Sequence, residues 1–559
     1  MRPLLPAILL ISAAAIGYEI LLMRLLAIIQ WHHFAWMIIS LALLGYGVSG
    51  TVIALGKRWL EPRFGPVFAG SALLFSITMV ACFVLGQRVP FNALEVIWDP
   101  RQFLYLTVLY LLFMVPFFFA ASCMGLAFSY RSALIERIYF FDLLGAGLGA
   151  LLIIACLFLL LPQKALLALA LLPLFASGLV GRPQPYGRPL LVAQGAWLLA
   201  LLFLLAMEPL PLRVSPYKEL SQALQVVGSS VVGEYSSPLG QLTVVESPRI
   251  PFRHAPGLSM AATQVPGDQL ALFTDGENIS AITRFSGDLS ELGYLEDMTS
   301  ALPHRLLSRP RVLTLGAGAG ADVLLALYHG AERVDAVELN PQVIGLLREE
   351  FADYAGRLYD HESVQVHIGE ARGFGARGGT RYDLVQLGML DSFGVSGSGV
   401  KALNENYLYT VEAFTDYLRR LEPGGLLAIT RWLKLPPRDS LKLAATAIAA
   451  LREAGVADPG QRLAVIRSWN TVTLLLKNGD FLPSEIAAIR SFAHSHSFDL
   501  AWLPSMTADQ ANRFNQLERP QLYEGISALL GEQAADFVER YKFHIRPATD
   551  DRPYFFHFL

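Results

Sequence analysis

The chain has 559 residues, a mean hydropathy of +0.43 and 16% charged residues, so it is too long for one ordinary domain and too apolar for a wholly water-soluble protein. Its net charge of −3 lacks the basic footprint that a nucleic-acid partner requires. Cys82, Cys123 and Cys156 all fall inside apolar stretches, which argues against a disulfide framework and against a Cys-x-x-Cys metal site.

The apolar excess lies at one end. Stretches near 4–29, 33–56, 66–88, 103–130, 138–161, 164–181 and 189–208 mostly reach the ~20 residues needed to cross a bilayer, and predict a polytopic membrane domain over 1–208 rather than a signal peptide. Arg2, the Lys57–Arg58–Arg63 loop, the Arg131–Arg137 loop and the Arg182–Arg188 loop share one side if every stretch crosses. The positive-inside bias then places the N-terminus in the cytoplasm. Seven crossings would export everything that follows. Either the 164–181 stretch, the shortest and interrupted by Pro173, does not cross, or the N-terminus lies outside.

Glu19, Arg24 and Asp142 sit inside these stretches, at a depth where charge is costly and usually faces protein or water. Two readings follow: interhelical pairing with Arg24 snorkelling to a surface, or a proton or substrate path. Gly45 with Ser49, and Gly145 with Gly149, have the small-xxx-small spacing that lets helices approach closely. Trp31, His32 and His33 suit an interfacial belt.

After Pro209 charges and turn residues return. Residues 209–300 are expected to form a linker and a small β-rich lobe, with alternating strands near Gln241–Glu246 and Gln269–Thr274 and a turn at Asp275–Gly276. Residues 301–480 are expected to form an α/β Rossmann-like domain, and 481–559 a helical extension. Within the α/β region, Val312–Leu315 is apolar enough for a strand covered on both faces, and Gly316, Gly318 and Gly320 allow a tight turn with close approach of backbone to ligand. Glu338 lies 22 positions beyond Gly316, where a carboxylate can accept both ribose hydroxyls. The spacing is GxGxG and lacks the third glycine of a dinucleotide fingerprint, which favours S-adenosylmethionine over a dinucleotide. Further strands are predicted at Val364–Gly369, ending in Glu370 and Ala371, at Tyr382–Leu387 and at Leu426–Thr430, with a helix near Thr410–Leu421.

The order of these elements, with LFTDG, YLEDMTSALP, VLTLGAGAGAD, VEL, IGEA, YDLVQLGMLDS, LYTVEAF and LEPGG, resembles the spermidine synthase family of aminopropyltransferases within the class I S-adenosylmethionine-dependent methyltransferase fold. The whole chain is similar to bacterial membrane-fused relatives of that family. The resemblance implies that Gly316, Gly318 and Gly320 line the nucleoside, that Glu338 binds ribose, that Glu370 and Ala371 approach adenine, and that Asp391 faces the reacting amine. It also implies an acidic pair after the fourth strand. This chain has GMLDS there, so an ungapped alignment puts Gly388 where the first aspartate, the expected general base, belongs. The usual GGGDGG-like turn is GAGAGA and carries no acid.

The segment Asp391–Tyr409 has the make-up of a lid. Asp391 and Glu405 are candidates for holding a cationic amine, and Tyr407 and Tyr409 for covering a ring or sulfonium; Asp391, Glu405 and Tyr407 are the expected catalytic set. The C-terminal run Tyr554, Phe555, Phe556, Phe558 suits either packing on the sheet edge or a membrane surface. The cofactor expected is S-adenosylmethionine or its decarboxylated form, with no metal. The expected partners are the lipid bilayer, a small-molecule amine or lipid-phase acceptor, and a second copy of the chain as a homodimer, without nucleic acid. The expected location is the bacterial inner membrane, with the α/β domain cytoplasmic. The function expected is a membrane-anchored transferase passing an aminopropyl or methyl group; the alternative is a nucleoside- or polyamine-sensing domain that regulates transport through the spans.

Overall fold

A computed structural model describes residues 3–30, 34–181, 187–208, 210–389 and 405–558. It divides into two compact units, one comprising Met1–Ser221 and Glu234–Leu242, the other Gln222–Gly233 and Thr243–Leu559.

The first unit is helical. Among the described residues, seven helical segments are long and apolar enough to cross a membrane: Leu4–Ile29, Met37–Leu55, Lys57–Gly86, Arg101–Tyr130, Ile135–Leu159, Pro162–Val180 and Arg188–Ala206. The first of these is at the centre, with Tyr18, Leu21, Leu22 and Leu25 fully buried. Its packing depends on missing side chains. A Cβ at Gly145 or Gly149 would lie 2.4 Å from the carbonyl oxygen of Leu9 and 2.2 Å from that of Ala13, so the glycine pair lets two helix backbones meet directly. Gly45 faces Phe117 and Phe118 in the same way, and one turn on Ser49 shares a 2.9 Å hydroxyl bond with Ser122. The small-residue spacings are therefore packing devices. Asp142 accepts the Ser12 hydroxyl across the contact between the first and fifth segments. The sixth segment is broken at Ala170 into Pro162–Leu169 and Leu171–Gly181, because Pro173 has no N–H and its ring crowds the carbonyl four residues back. The Ser76 hydroxyl donates to the Ala170 carbonyl at 2.6 Å, satisfying a backbone group at the break.

The β-lobe is a four-stranded sheet in the order β1 (Ser230–Ser237), β2 (Gly240–Glu246), β3 (Gln269–Thr274), β4 (Glu277–Thr283). Asp275 and Gly276, at φ of 51° and 74°, make the two-residue hairpin between β3 and β4 whose twist matches the strands.

The α/β domain holds an eight-stranded sheet. Its strands are β5 (Arg311–Leu315), β6 (Arg333–Glu338), β7 (Val364–Ile368), β8 (Tyr382–Leu387), β9 (Leu421–Trp432), β10 (Leu463–Arg467), β11 (Thr471–Lys477) and β12 (Asp499–Trp502), in spatial order β12-β10-β11-β9-β8-β5-β6-β7. The neighbours β7, β6, β5, β8 and β9 run parallel, and β11, β10 and β12 continue in antiparallel pairs. The chain builds outward from β5 through β6 to β7 and then returns to place β8 on the other flank of β5. That reversal opens a crevice at the carboxyl ends of β5 and β8, where open α/β sheets bind their ligands. Five parallel strands with an antiparallel hairpin beyond the last give the class I methyltransferase-like arrangement expected from the motifs. The stretch after 481 supplies the helices Pro483–Ser495, Gln521–Leu530 and Ala534–Arg540 and also β12.

The C-terminal aromatic run packs into this domain. Phe555 and Phe558 are buried, the Arg431 guanidinium lies over the Tyr409, Phe555 and Phe556 rings, and the buried Lys442 ammonium donates to the carbonyls of Tyr554 and His557 at 3.0 and 2.9 Å. A membrane-surface role for these rings is thereby replaced by a core role.

Candidate nucleoside site

β5 ends in the glycine turn, whose three glycines take φ of 77°, 52° and 93°, values that residues with a Cβ rarely adopt. At Gly320 a Cβ would also lie 2.3 Å from Leu358 Cδ2, so a side chain there would both strain the backbone and displace Leu358. Every amide of the turn has an internal acceptor. Gly316 and Ala317 N–H donate to the Val337 carbonyl at 3.0 Å, Gly318 N–H to Glu338 Oε2 at 2.9 Å, Ala319 N–H to Ser280 Oγ at 3.1 Å, and Gly320 N–H to the Ala317 carbonyl at 2.9 Å. The Tyr359 hydroxyl closes the turn by donating to the Gly318 carbonyl at 2.7 Å.

The electrostatic consequence is specific. A phosphate-binding turn presents free amides to an anion, whereas here the amides of Gly316–Gly320 are occupied and the charged group beside the turn is a carboxylate. Glu338, half-buried at the end of β6, also accepts from Asn340 N–H at 2.8 Å. Each oxygen is thus held by one backbone donor and retains a second lone pair for a ligand hydroxyl.

β7 brings the next candidates alongside, since Gly369 N–H donates to the Glu338 carbonyl at 3.0 Å. Glu370 is exposed and caps the short helix Ala371–Ala376, accepting from Arg372 and Gly373 N–H at 2.7 and 2.5 Å. Its carboxylate is fixed at the rim of the sheet by the helix it starts. Ala371 is half-buried and packs on the domain core.

Asp391 lies outside the described residues. Glu405 and Tyr407 pair with each other, the phenol donating to Glu405 Oε2 at 3.1 Å, and the carboxylate raises the phenol's pKa above its ordinary 10. Both are exposed. Tyr409 is different. It is fully buried, 4.9 Å from the Phe555 ring and under the Arg431 guanidinium, so it has no face to offer a sulfonium and belongs to the core.

The sequence reading missed one cluster in the crevice itself. Asp322, in the first turn of the helix Ala321–Tyr328 that follows the glycine turn, points back toward the end of β8. A Cβ on Gly388 would lie 2.0 Å from Asp322 Oδ2. The buried Gln386 amide donates to Asp322 Oδ1 at 2.8 Å, and its carbonyl is 3.1 Å from Nε2 of the buried His304. The His304 ring stacks on His329 at 5.2 Å. Asp322 keeps intermediate solvent exposure as a residue, but protein encloses the carboxyl closely enough that desolvation raises its pKa from 3.8 to about 6. An acid in the first helical turn ordinarily signals dipole compensation, and nothing local to Asp322 marks it as more. Among the described residues no group of acids, histidines and cysteines is arranged to hold a metal ion.

No family model matches the chain. Among curated proteins it is similar to the polyamine aminopropyltransferase of Nitrosomonas europaea, 28% identical over 179 residues that make up 32% of this chain and 50% of that protein. It is also similar to polyamine aminopropyltransferase 2 of Hyperthermus butylicus, 29% identical over 167 residues, 29% of this chain and 49% of the relative. The aminopropyltransferase of Mycobacterium tuberculosis is 28% identical over 216 residues, 38% of each chain. The matched region spans about half the length, or less, of these curated relatives. Solved structures overlap more loosely. Spermidine synthase from Thermotoga maritima has a TM-score of 0.31 at 13% identity, covering 55% of this chain and 86% of that one; a probable spermidine synthase from Corynebacterium glutamicum has 0.31 at 18%, covering 47% and 87%. The resemblance read from the motifs is thus to the proteins that the chain matches, and the strand order independently gives the fold.

Proposed function

We propose that the chain is a membrane-anchored transferase that binds decarboxylated S-adenosylmethionine at the carboxyl edge of β5 and β6 and passes its aminopropyl group to an amine. The observation that carries this reading is the glycine turn with every amide internally bonded and the Glu338 carboxylate against it. Such a turn suits a nucleoside without a phosphate, because ribose hydroxyls donate to a carboxylate that an anion would avoid. The similarity to aminopropyltransferases supports the aminopropyl group over methyl.

In this reading Gly316, Gly318 and Gly320 let the backbone approach the nucleoside, Glu338 holds the ribose, and Glu370 with Ala371 borders the adenine. Glu405 attracts the cationic acceptor, and Tyr407 fixes the Glu405 carboxylate by donating to Oε2. Asp391 follows β8 by sequence and is assigned to the same amine. Transfer is an in-line displacement at carbon, so positioning supplies most of the acceleration. The seven apolar segments support residence in a membrane. We place the α/β domain on the cytoplasmic side, where the donor is made. The sixth segment is long and apolar enough to cross, but its break near Pro173 into pieces of 8 and 11 residues makes it our choice for the one that re-enters instead of crossing.

Membranes containing the full chain, incubated with donor labelled in the propyl group and a panel of diamines and polyamines, test the proposal. Release of methylthioadenosine together with a labelled polyamine is the expected result. S-adenosylhomocysteine formation from S-adenosylmethionine would make it a methyltransferase, and donor binding without product would make it a binding protein.

A further inference from the structure

The crevice between β5 and β8 contains a carboxylate that the motif comparison does not assign. An ungapped reading places glycine at 388, where the related enzymes carry the acid expected to receive the amine proton. The space such a side chain would enter is already filled: Asp322 Oδ2 lies 2.0 Å from the Cβ position of Gly388. The acid arrives from the opposite wall, on the helix after β5 instead of the loop after β8. A side chain at 388 would have to displace the Asp322 carboxyl, and with glycine at 388 that carboxyl reaches the end of β8.

Resting on the aminopropyl-transfer reading above, we propose that Asp322 is the catalytic base of this site, supplying from the β5 side the carboxylate that position 388 lacks. In the step, the acceptor nitrogen's lone pair forms a bond to the propyl carbon while the carbon–sulfur bond breaks. Its electron pair returns to sulfur as the neutral thioether of methylthioadenosine, and the proton shed by the nitrogen passes to Asp322. Gln386 is a positioning residue. Its amide holds Oδ1 at 2.8 Å and so leaves Oδ2 facing the Gly388 side of the crevice. Its own orientation is held by His304 at 3.1 Å. Desolvation of the carboxyl makes it a stronger proton acceptor than a solvated aspartate.

The test uses the full-length chain in detergent, labelled decarboxylated S-adenosylmethionine and the acceptor that turns over fastest. Asp322→Asn keeps the shape and the Gln386 contact, and is expected to leave donor affinity within about threefold while lowering kcat by about a hundredfold or more, the usual worth of a general base. Gly388→Asp alone should fail, since its side chain meets Asp322. The double variant Asp322→Ala with Gly388→Asp, which moves the carboxylate to the other wall, should recover at least about a tenth of the wild-type kcat, a rescue that a merely structural aspartate would not permit. Asp322→Asn turning over at wild-type rate would overturn this inference and leave the proposed function standing. Absence of product from the wild-type chain with every acceptor would overturn both.

Discussion

Glu338 does two things at once: it holds the glycine turn through Gly318 N–H and keeps lone pairs for a ligand. Glu338→Ala should therefore weaken binding of the sulfonium nucleoside by roughly ten- to a hundredfold, the worth of one charge-assisted hydrogen bond at about 1.5–3 kcal/mol, as measured by equilibrium dialysis. A second prediction at this scale concerns Asp322, raised to about 6 by desolvation. Only the ionised form can take a proton, so turnover should fall about tenfold per pH unit below pH 6 and level off above it. The Gln386 amide and the Tyr359 phenol, the latter held well above 10 by burial, are the groups that act on it, and neither titrates in that range. An acid limb near pH 4 would instead describe a solvated carboxylate. Asp322 shows why part of the site was illegible in the sequence: its partner Gly388 is 66 positions away and contributes nothing but the absence of a side chain. Tyr409 shows the converse. Two positions from Tyr407 it looked like a second cover for the ligand, but the Arg431 guanidinium and the Phe555 ring that bury it come from distant strands and the C-terminus.

Elements were easier to recognise than roles. Strand Tyr382–Leu387 has the bounds its apolar run predicts, and β5 and β7 differ from expectation by one residue at an end; β5 and β8 are buried central strands that stand out by their apolar residues, whereas the edge strand β7 is legible from β-branched residues alternating with polar ones. The Asp275–Gly276 hairpin was legible from two residues that tolerate positive φ. β10 to β12 were not singled out, although β10 and β11 are wholly buried apolar strands; short apolar runs of that length are ambiguous until their neighbours are known. In the helical unit the glycine spacings predicted close approach. Gly149→Leu should drive a side chain into the Ala13 backbone and destabilise the bundle by about 1–3 kcal/mol or more, whereas Gly147→Leu, with nothing within 4 Å of its Cβ position, should be tolerated. Thermal retention of monodisperse protein in detergent distinguishes them, and equal behaviour of the two variants would contradict the backbone-contact account.

At the scale of the whole molecule, three histidines, one in the β-lobe region and two in the α/β domain, stay neutral. Burial lowers His254 and His329 to about 4 and His304 to about 3. Between those values and the ordinary 6.5 the unfolded chain binds more protons than the native one, so stability is highest above pH 6.5 and is lost as pH falls toward 4. Asp322 acts in the opposite sense, since its raised pKa lets the native state bind a proton between about 6 and 3.8, but one carboxyl offsets only part of three histidines. Protection of amides in β5 and β8 should therefore fall by more than about tenfold from pH 7 to pH 4.5 after correction for intrinsic exchange, and His304→Gln should flatten the dependence.

The proposed ligand is a nucleoside that brings no phosphate to the glycine turn. The most direct test is competition at the full-length chain between decarboxylated S-adenosylmethionine or methylthioadenosine and a dinucleotide such as NAD. We predict that the sulfonium or thioether nucleosides bind, that NAD and inorganic phosphate do not displace them, and that Glu338→Ala removes the difference. Displacement by NAD at comparable concentration, or nucleoside affinity unaltered in Glu338→Ala, would contradict it.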